Sequence, residues 1–349
     1  MQRNISIAGH QAKNPFVHLP IGLGDFNDPP TIVGTNRFNH YISIAKGGVG
    51  TIIVEATSVA PISQRKHPAM PNIASTHSCL EIVSQEQIAS FQYLVSQCKQ
   101  EQVLMLLQLA HTGADVPLDD RLLSDLSLNE MHQIQQLFLQ GAINAKRAGF
   151  DGIELHAAHG LFLSQVLSPV TNDRNDCYGK TLNNRVHYIG EIIAQIKASC
   201  GSDFIVGVRF GCNEPNLQSS LKIATLLEKA NADFLDISSG LNGSTYLGVT
   251  PPANFPYSKK IYAAAQIQKI VSIPVIVVEG IRTAEQAQDI LANNYTQLIG
   301  IGKAILADYQ WTNKILHRIK PIPCLNCKKC HWYDNHQNCP GYSKQTSQP

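Results

Sequence analysis

Val103-Leu104-Met105-Leu106-Leu107-Gln108-Leu109, then Asn129–Ala148, then Gly152-Ile153-Glu154-Leu155-His156, carry the reading of the fold. The first and third segments are strand-length and largely apolar throughout, as expected of parallel strands buried on both faces. The middle one repeats apolar residues at helical spacing. It follows Ser127, with Glu130 three residues on, which predicts a capping box. Working outward, the same unit recurs. Further strands are expected at Phe16–Ile21, Thr51–Glu55, Phe204–Arg209, Phe234–Ile237, Pro274–Val278 and Leu298–Ile301. Helices are expected at Gln85–Lys99, Arg185–Ala198, Ser219–Ala230, Tyr257–Ile270 and Thr283–Leu291. Eight strands alternating with helices give an α/β fold, a (β/α)8 TIM barrel. A doubly wound sheet would need a Gly-x-Gly-x-x-Gly loop after the first strand, and none follows it.

Length and composition agree. The chain has 349 residues, within the range of one such barrel. With 44% hydrophobic and 15% charged residues it can bury a large core. Lys+Arg is 28 against Asp+Glu 26, which gives no electrostatic reason to expect nucleic acid or an anionic membrane. No apolar stretch approaches the roughly 18 residues of a membrane span, and no apolar run follows the first residues as a secretory signal would. Nine cysteines, an odd number, suggest reduced thiols and a cytoplasmic location. The expected partner is a small molecule; a homo-oligomer is allowed but not specified. The barrel is expected over 1–320 and a Cys-rich C-terminal tail over 321–349.

In such barrels the chemistry sits at the C-terminal strand ends. Gly280 and Gly302 follow the seventh and eighth strands, where backbone N–H groups close on a phosphate, and Lys303 adds a positive charge beside them. Arg209 ends the fifth strand and Gln108 the third. An amide that both donates and accepts, with a guanidinium, suits the pyrimidine edge of a flavin. His156 and His159, just past the fourth strand, can donate hydrogen bonds to a substrate oxygen, although two such histidines can equally be structural. A phosphosugar aldolase would need a strand-end Lys for a Schiff base, and only Lys303 qualifies.

The run Leu155-His156-Ala157-Ala158-His159-Gly160-Leu161-Phe162-Leu163-Ser164-Gln165-Val166-Leu167-Ser168-Pro169 and then Asn172-Asp173-Arg174-Asn175-Asp176-Cys177-Tyr178-Gly179 resembles the signature of the old yellow enzyme family. So do Leu19-Pro20, Gly47–Ala56, Gln108–His111, Val206–Arg209 and Gly302-Lys303. The resemblance implies an FMN-dependent NAD(P)H oxidoreductase of the ene-reductase type. Hydride would pass from NAD(P)H to flavin N5 and then to an activated alkene, a quinone or a similar acceptor. It implies that Gly280, Gly302 and Lys303 hold the FMN phosphate, that Leu19, Pro20, Ala56, Gln108 and Arg209 hold the flavin ring, and that His156 and His159 are catalytic.

Several positions depart from the family pattern. The usual tyrosine proton donor is Leu161, which has no proton to give. Gly22 stands where Cys or Thr is common, Glu279 replaces a glycine near the phosphate, and Lys303 replaces Arg. Water, another phenol such as Tyr178 or Tyr246, or an acceptor needing no delivered proton would fill the gap. A flavin-binding protein with lost or altered reductase activity is the alternative. In the tail, Cys324, Cys327, Cys330 and Cys339 are spaced as thiolate ligands of an iron–sulfur cluster or zinc, or bind no metal at all.

Overall fold

The computed structural model describes residues 4–23, 28–61, 79–111, 123–212, 215–241 and 248–346. Elements follow in chain order: β1 (Ile5–Ile7), β2 (His10–Ala12), β3 (Phe16–His18), α1 (Thr35–Lys46), β4 (Thr51–Ser58), β5 (Leu80–Glu81), α2 (Gln85–Lys99), β6 (Leu104–Ala110), α3 (Leu128–Arg147), β7 (Gly152–Ala157), α4 (Phe162–Leu167), α5 (Leu182–Cys200) and β8 (Ile205–Gly211). Then come α6 (Leu217–Lys229), β9 (Phe234–Ser238), α7 (Lys259–Gln268), β10 (Val275–Val277), α8 (Ala284–Ala292), β11 (Leu298–Ile301), α9 (Lys303–Ala307), α10 (Trp311–Leu316), α11 (His331–Asp334) and α12 (Pro340–Thr346).

Strands β3, β4, β6, β7, β8, β9, β10 and β11 form the eight-stranded parallel barrel, closed by pairing of β3 with both β4 and β11. These are the eight strands the sequence predicts. Their ends shift for local reasons. β3 stops at His18 because Pro20 has no N–H for the ladder, and Ile21 N–H turns back onto the Leu19 carbonyl at 2.8 Å. β4 runs on to Ser58 through an irregularity between Val54 and Thr57. The capping box at α3 is present, with Glu130 N–H donating to Ser127 Oγ at 3.2 Å and Ser127 N–H donating to the Glu130 carboxylate at 2.8 Å.

Side-chain alternation divides the interior. Met105, Leu107, Ile153, Leu155, Val206, Val208, Leu235 and Ile237 point outward and join the helices in the main core. Inward, at the strand starts, Leu104, Leu106, Ile205, Phe234, Ile276 and Leu298 form a second cluster. Gly207 makes room for Phe234: a Cβ there would lie 2.0 Å from the Phe234 ring. The hairpin β1–β2 seals this base with Ile5, Ile7 and Ala12. Its two-residue turn, Ala8-Gly9, takes positive φ at both positions (47° and 85°), the twist that short hairpins need.

After α10 the chain folds back. Trp332 is 3% exposed and packs near His40 with ring centroids 5.6 Å apart and planes tilted by 53°. Gly341 lies against Ala307, where a Cβ would come within 2.6 Å of the alanine methyl.

Candidate active site at the barrel mouth

Four neighbouring strands deliver their inward-facing ends to one place: β6 brings Gln108, β7 brings Glu154 and His156, β8 brings Arg209, and β9 brings Asp236 and Ser238. Gln108, Glu154 and Asp236 are 0–1% exposed and Arg209 8%. Gln108 Nε2 donates to Glu154 Oε1 at 2.6 Å. Arg209 Nε lies 3.2 Å from Asp236 Oδ2, and Arg209 Nη2 donates to Ser238 Oγ at 3.3 Å.

The histidines join through Ser238. After β7 the backbone takes two successive left-handed residues, His159 (φ 59°) and Gly160 (φ 77°). That turn is unfavourable for a side-chain-bearing residue, and strain of this kind gathers at functional sites. It brings the His159 imidazole back over the mouth, its Nε2 2.7 Å from Ser238 Oγ and its Nδ1 3.3 Å from His156 Nε2. Ala158 N–H donates to His156 Nδ1 at 3.3 Å, leaving Nε2 to carry that ring's proton. Burial, first, and then neighbouring charge from Arg209 hold both imidazoles well below the usual histidine range, His159 down to about 3. At neutral pH both are therefore neutral hydrogen-bond donors.

On the far side of the mouth, Glu279 and Gly280 are again consecutive left-handed residues (φ 97° and 74°). A Cβ on Gly280 would meet nothing within 4 Å, so its backbone faces open space. Gly302, between β11 and α9, would place a Cβ 3.7 Å from Leu19 and Ile21. Lys303 is exposed, Leu19 and Pro20 are buried, and Ala56 is half-buried. The Glu279 carboxylate, expected beside the phosphate, lies 3.3 Å from the buried Lys260 of α7. Its charge is thus met by a cation of the protein.

Other predicted participants lie elsewhere. Tyr178 is 2% exposed between α3 and α5, donating to Glu191 Oε2 at 2.7 Å with His132 Nε2 at 2.9 Å. It is a packing residue, away from the barrel mouth. Tyr246 lies outside the described residues. The Asn172–Tyr178 run is scaffold: Arg174 Nη1 donates to the Leu123 and Leu126 carbonyls at 2.6 Å each, and Asn172 Nδ2 to Val166 and Tyr178. Leu161 is 6% exposed at the start of α4, an apolar wall beside the histidines.

Cys324, Cys327, Cys330 and Cys339 are free, half-buried thiols. Among the described residues no three His, Cys, Asp or Glu side chains are gathered as a metal needs. Cys330 and Cys339 instead pack against the main core around Trp332, as small apolar groups. The iron–sulfur or zinc expectation is not supported by this arrangement.

Glu154, Asp236 and Ser238 were not singled out by the sequence. The usable signal was a carboxylate inside each of two otherwise apolar strands.

The parallel barrel thus gathers a guanidinium, an amide and a histidine pair at its strand ends. The chain belongs to the NADH:flavin oxidoreductase / NADH oxidase family, whose model matches residues 3–125 and 120–321. It is 32% identical over 325 residues to the NADH oxidase of Thermoanaerobacter brockii, covering 86% of this chain but 48% of that protein. It is 29% identical over 320 residues to the NADPH dehydrogenase of Bacillus pumilus, covering 87% and 90%. The chain thus spans about half of the first relative and nearly all of the second. Its fold matches 2-naphthoyl-CoA reductase in complex with 2-naphthoyl-CoA (TM-score 0.79, 17% identity, 94% of this chain and 54% of that one). It also matches the old yellow enzyme homologue of Zymomonas mobilis (TM-score 0.72, 18% identity, 96% and 98%). No helix among the described residues is long and apolar enough to cross a membrane.

Proposed function

We propose that this protein uses FMN to pass hydride from NADH or NADPH to a small conjugated carbonyl acceptor, an enone or a quinone. The observation that carries this reading is the bridge at Ser238, which joins the substrate-side histidines to the flavin-side guanidinium in one hydrogen-bonded line. FMN, when bound, would supply the two-electron relay at its N5. Gln108 and Arg209 would hold the pyrimidine edge, with the guanidinium offsetting charge there. Leu19, Pro20 and Ala56 would line the ring, and the open backbone at Gly280 and Gly302, with Lys303, would take the phosphate. His156 and His159, neutral and pre-aimed, would turn their N–H donors from each other and from Ser238 onto the acceptor oxygen, stabilising it as it gains charge.

Leu161 bears on the acceptor. An apolar side chain there delivers no proton to carbon, and Tyr178 is tied to Glu191. This favours quinones, whose reduced oxygens take their protons from water. It also motivates the second reading, a flavin-binding protein without ene-reductase activity. The nine cysteines carry no disulfide, which is consistent with a reducing compartment such as the cytoplasm.

The test is direct. Purified protein should be yellow and release FMN on denaturation; colourless protein ends the reading. Rapid mixing with NADH or NADPH should bleach the flavin, and a quinone should restore it faster than an enone. Bleaching without reoxidation by either acceptor would leave the second reading. Leu161→Tyr should raise enone turnover; no rise would mean that protonation does not limit the rate.

A further inference from the structure

The hydrogen-bond accounting beneath Arg209 is incomplete unless one more proton is present. Glu154 Oε1 accepts from Gln108, but Glu154 Oε2 and Asp236 Oδ1 have no hydrogen-bond donor, and Asp236 Oδ2 has only Arg209 Nε at 3.2 Å, out of line for a hydrogen bond. All three atoms are fully buried, where an unmet carboxylate oxygen is strongly unfavourable. The two carboxyl groups come from the strands on either side of β8, Glu154 opposite Gly207, which has no side chain to part them, and Asp236 opposite Arg209, and each acts on the other's charge. Two carboxylates cannot satisfy each other, since both only accept; one carboxylic acid and one carboxylate can.

The location of the proton follows from the neighbours. Asp236 faces the Arg209 guanidinium at 3.2 Å and feels the Lys260 ammonium, so it is the better place for the negative charge. Glu154 has no cation in hydrogen-bond contact; its near neighbours are the Gln108 amide and Asp236. Burial and the Asp236 charge push its carboxyl well above the usual range. The other groups around the pair are His156 and His159, both neutral.

We propose that Glu154 is a positioning residue held as a neutral carboxylic acid. It donates its proton to Asp236 and accepts from Gln108, so that Gln108, Glu154, Asp236 and Arg209 form one continuous strap across the barrel. The strap uses one Gln108 N–H and so fixes that amide with its oxygen free to accept from above. It also leaves one negative charge against the one guanidinium. Ionising Glu154 would add a second negative charge under the ligand edge.

The inference rests on the FMN reading for its consequence but not for its chemistry, so two measurements separate them. Infrared spectroscopy of the wild-type protein at mildly alkaline pH should show a protonated carboxyl stretch that vanishes in Glu154→Gln. Absence of that band in wild type overturns the proposal, whether or not flavin is present, and so does its survival in Glu154→Gln. In the flavin-loaded protein, Glu154→Gln preserves both hydrogen bonds of a neutral acid. Its flavin midpoint potential should match wild type at neutral pH, while Asp236→Asn, which removes a charge, should shift it upward and Glu154→Leu, which breaks the strap, should weaken FMN binding. A Glu154→Gln potential raised as far as that of Asp236→Asn would mean that Glu154 is ionised, and would overturn the proposal. If the variants do not fold, the wild-type band decides alone. Colourless protein would defeat the FMN reading and leave the infrared result standing.

Discussion

The same eight strands build two different interiors. At the base, Leu104, Leu106, Ile205, Phe234, Ile276 and Leu298 meet the hairpin residues Ile5 and Ile7 in a dry aliphatic cluster. Two residues further along β6 and β9 the inward positions become Gln108 and Asp236, four residues further along β8 Arg209, and β7 adds Glu154 between its inward Gly152 and His156. The base contributes burial free energy and asks nothing of geometry beyond close packing. The mouth buries charges whose mutual attraction little more than offsets their lost hydration. What it contributes is a fixed arrangement of donors and acceptors. A barrel can carry such a layer because the stabilising half lies directly beneath it, on the same strands.

The comparison can be broken outright by making the mouth resemble the base. Glu154→Leu, Asp236→Leu and Arg209→Met together should abolish flavin binding and all NAD(P)H oxidation. Stability should hold or rise, by about 1–4 kcal/mol, as when a buried ionic group is replaced by packed apolar side chains. Thermal unfolding paired with flavin absorbance checks both; a large fall in stability would show the polar layer to be part of the scaffold.

The reverse test attacks the base. Phe234→Ala should cost about 3–5 kcal/mol by leaving a cavity under Gly207, while the folded fraction still binds flavin. Denaturant titration followed by flavin quantitation would read this. Loss of flavin binding from a fully folded variant would show the two halves to be coupled.

The mouth should also be acid-sensitive. His156 and His159 are kept neutral by burial, as are His18 and His40 beside α1, with His18 also down to about 3. The unfolded chain takes up these protons below about pH 6.5, while the folded chain does not. Their contribution is therefore complete above that pH and is lost as pH falls through the folded values, about 3 for His159 and His18. Each histidine should remove about 1.4 kcal/mol per pH unit in that window. Midpoints of urea unfolding across the range would measure the slope, and His156→Gln should make it shallower. A flat profile would contradict the burial of these rings.

The smallest effect is expected at the bridge. Ser238→Ala removes the acceptor shared by His159 and Arg209 and should cost about 1 kcal/mol of stability. Acceptor reduction should slow with little change in flavin affinity. An equal loss in both would place Ser238 on the flavin side alone.

Much of this was legible from the sequence for a physical reason. Buried parallel strands are written as apolar runs, and Ser127 with Glu130, or Pro20 after Leu19, mark element ends by their own hydrogen-bonding limits. Gln108, Arg209 and the histidine pair could be placed because strand ends are where such barrels expose side chains. Glu154 and Asp236 were hidden by the same logic, since a lone carboxylate inside an apolar strand declares neither its direction nor its partner. Tyr178 was misplaced because nearness in sequence to His159 says nothing about which side of α5 a ring falls on. The hairpin β1–β2 was missed because three-residue strands carry too little pattern. The tail cysteines show the converse: ligand-like spacing without convergence in space.

The pairing of β3 with β11 sets Phe16 beside Ile299, so the seam that completes the cylinder joins the first barrel strand to the last. On a ribosome that contact cannot form until β11 has emerged, some 280 residues after β3. Until then β3 and the nascent floor lack their lateral neighbour, and an unfinished sheet edge remains free to pair wrongly. Synthesis of this protein should thus be slow to commit and vulnerable until β11 is in place.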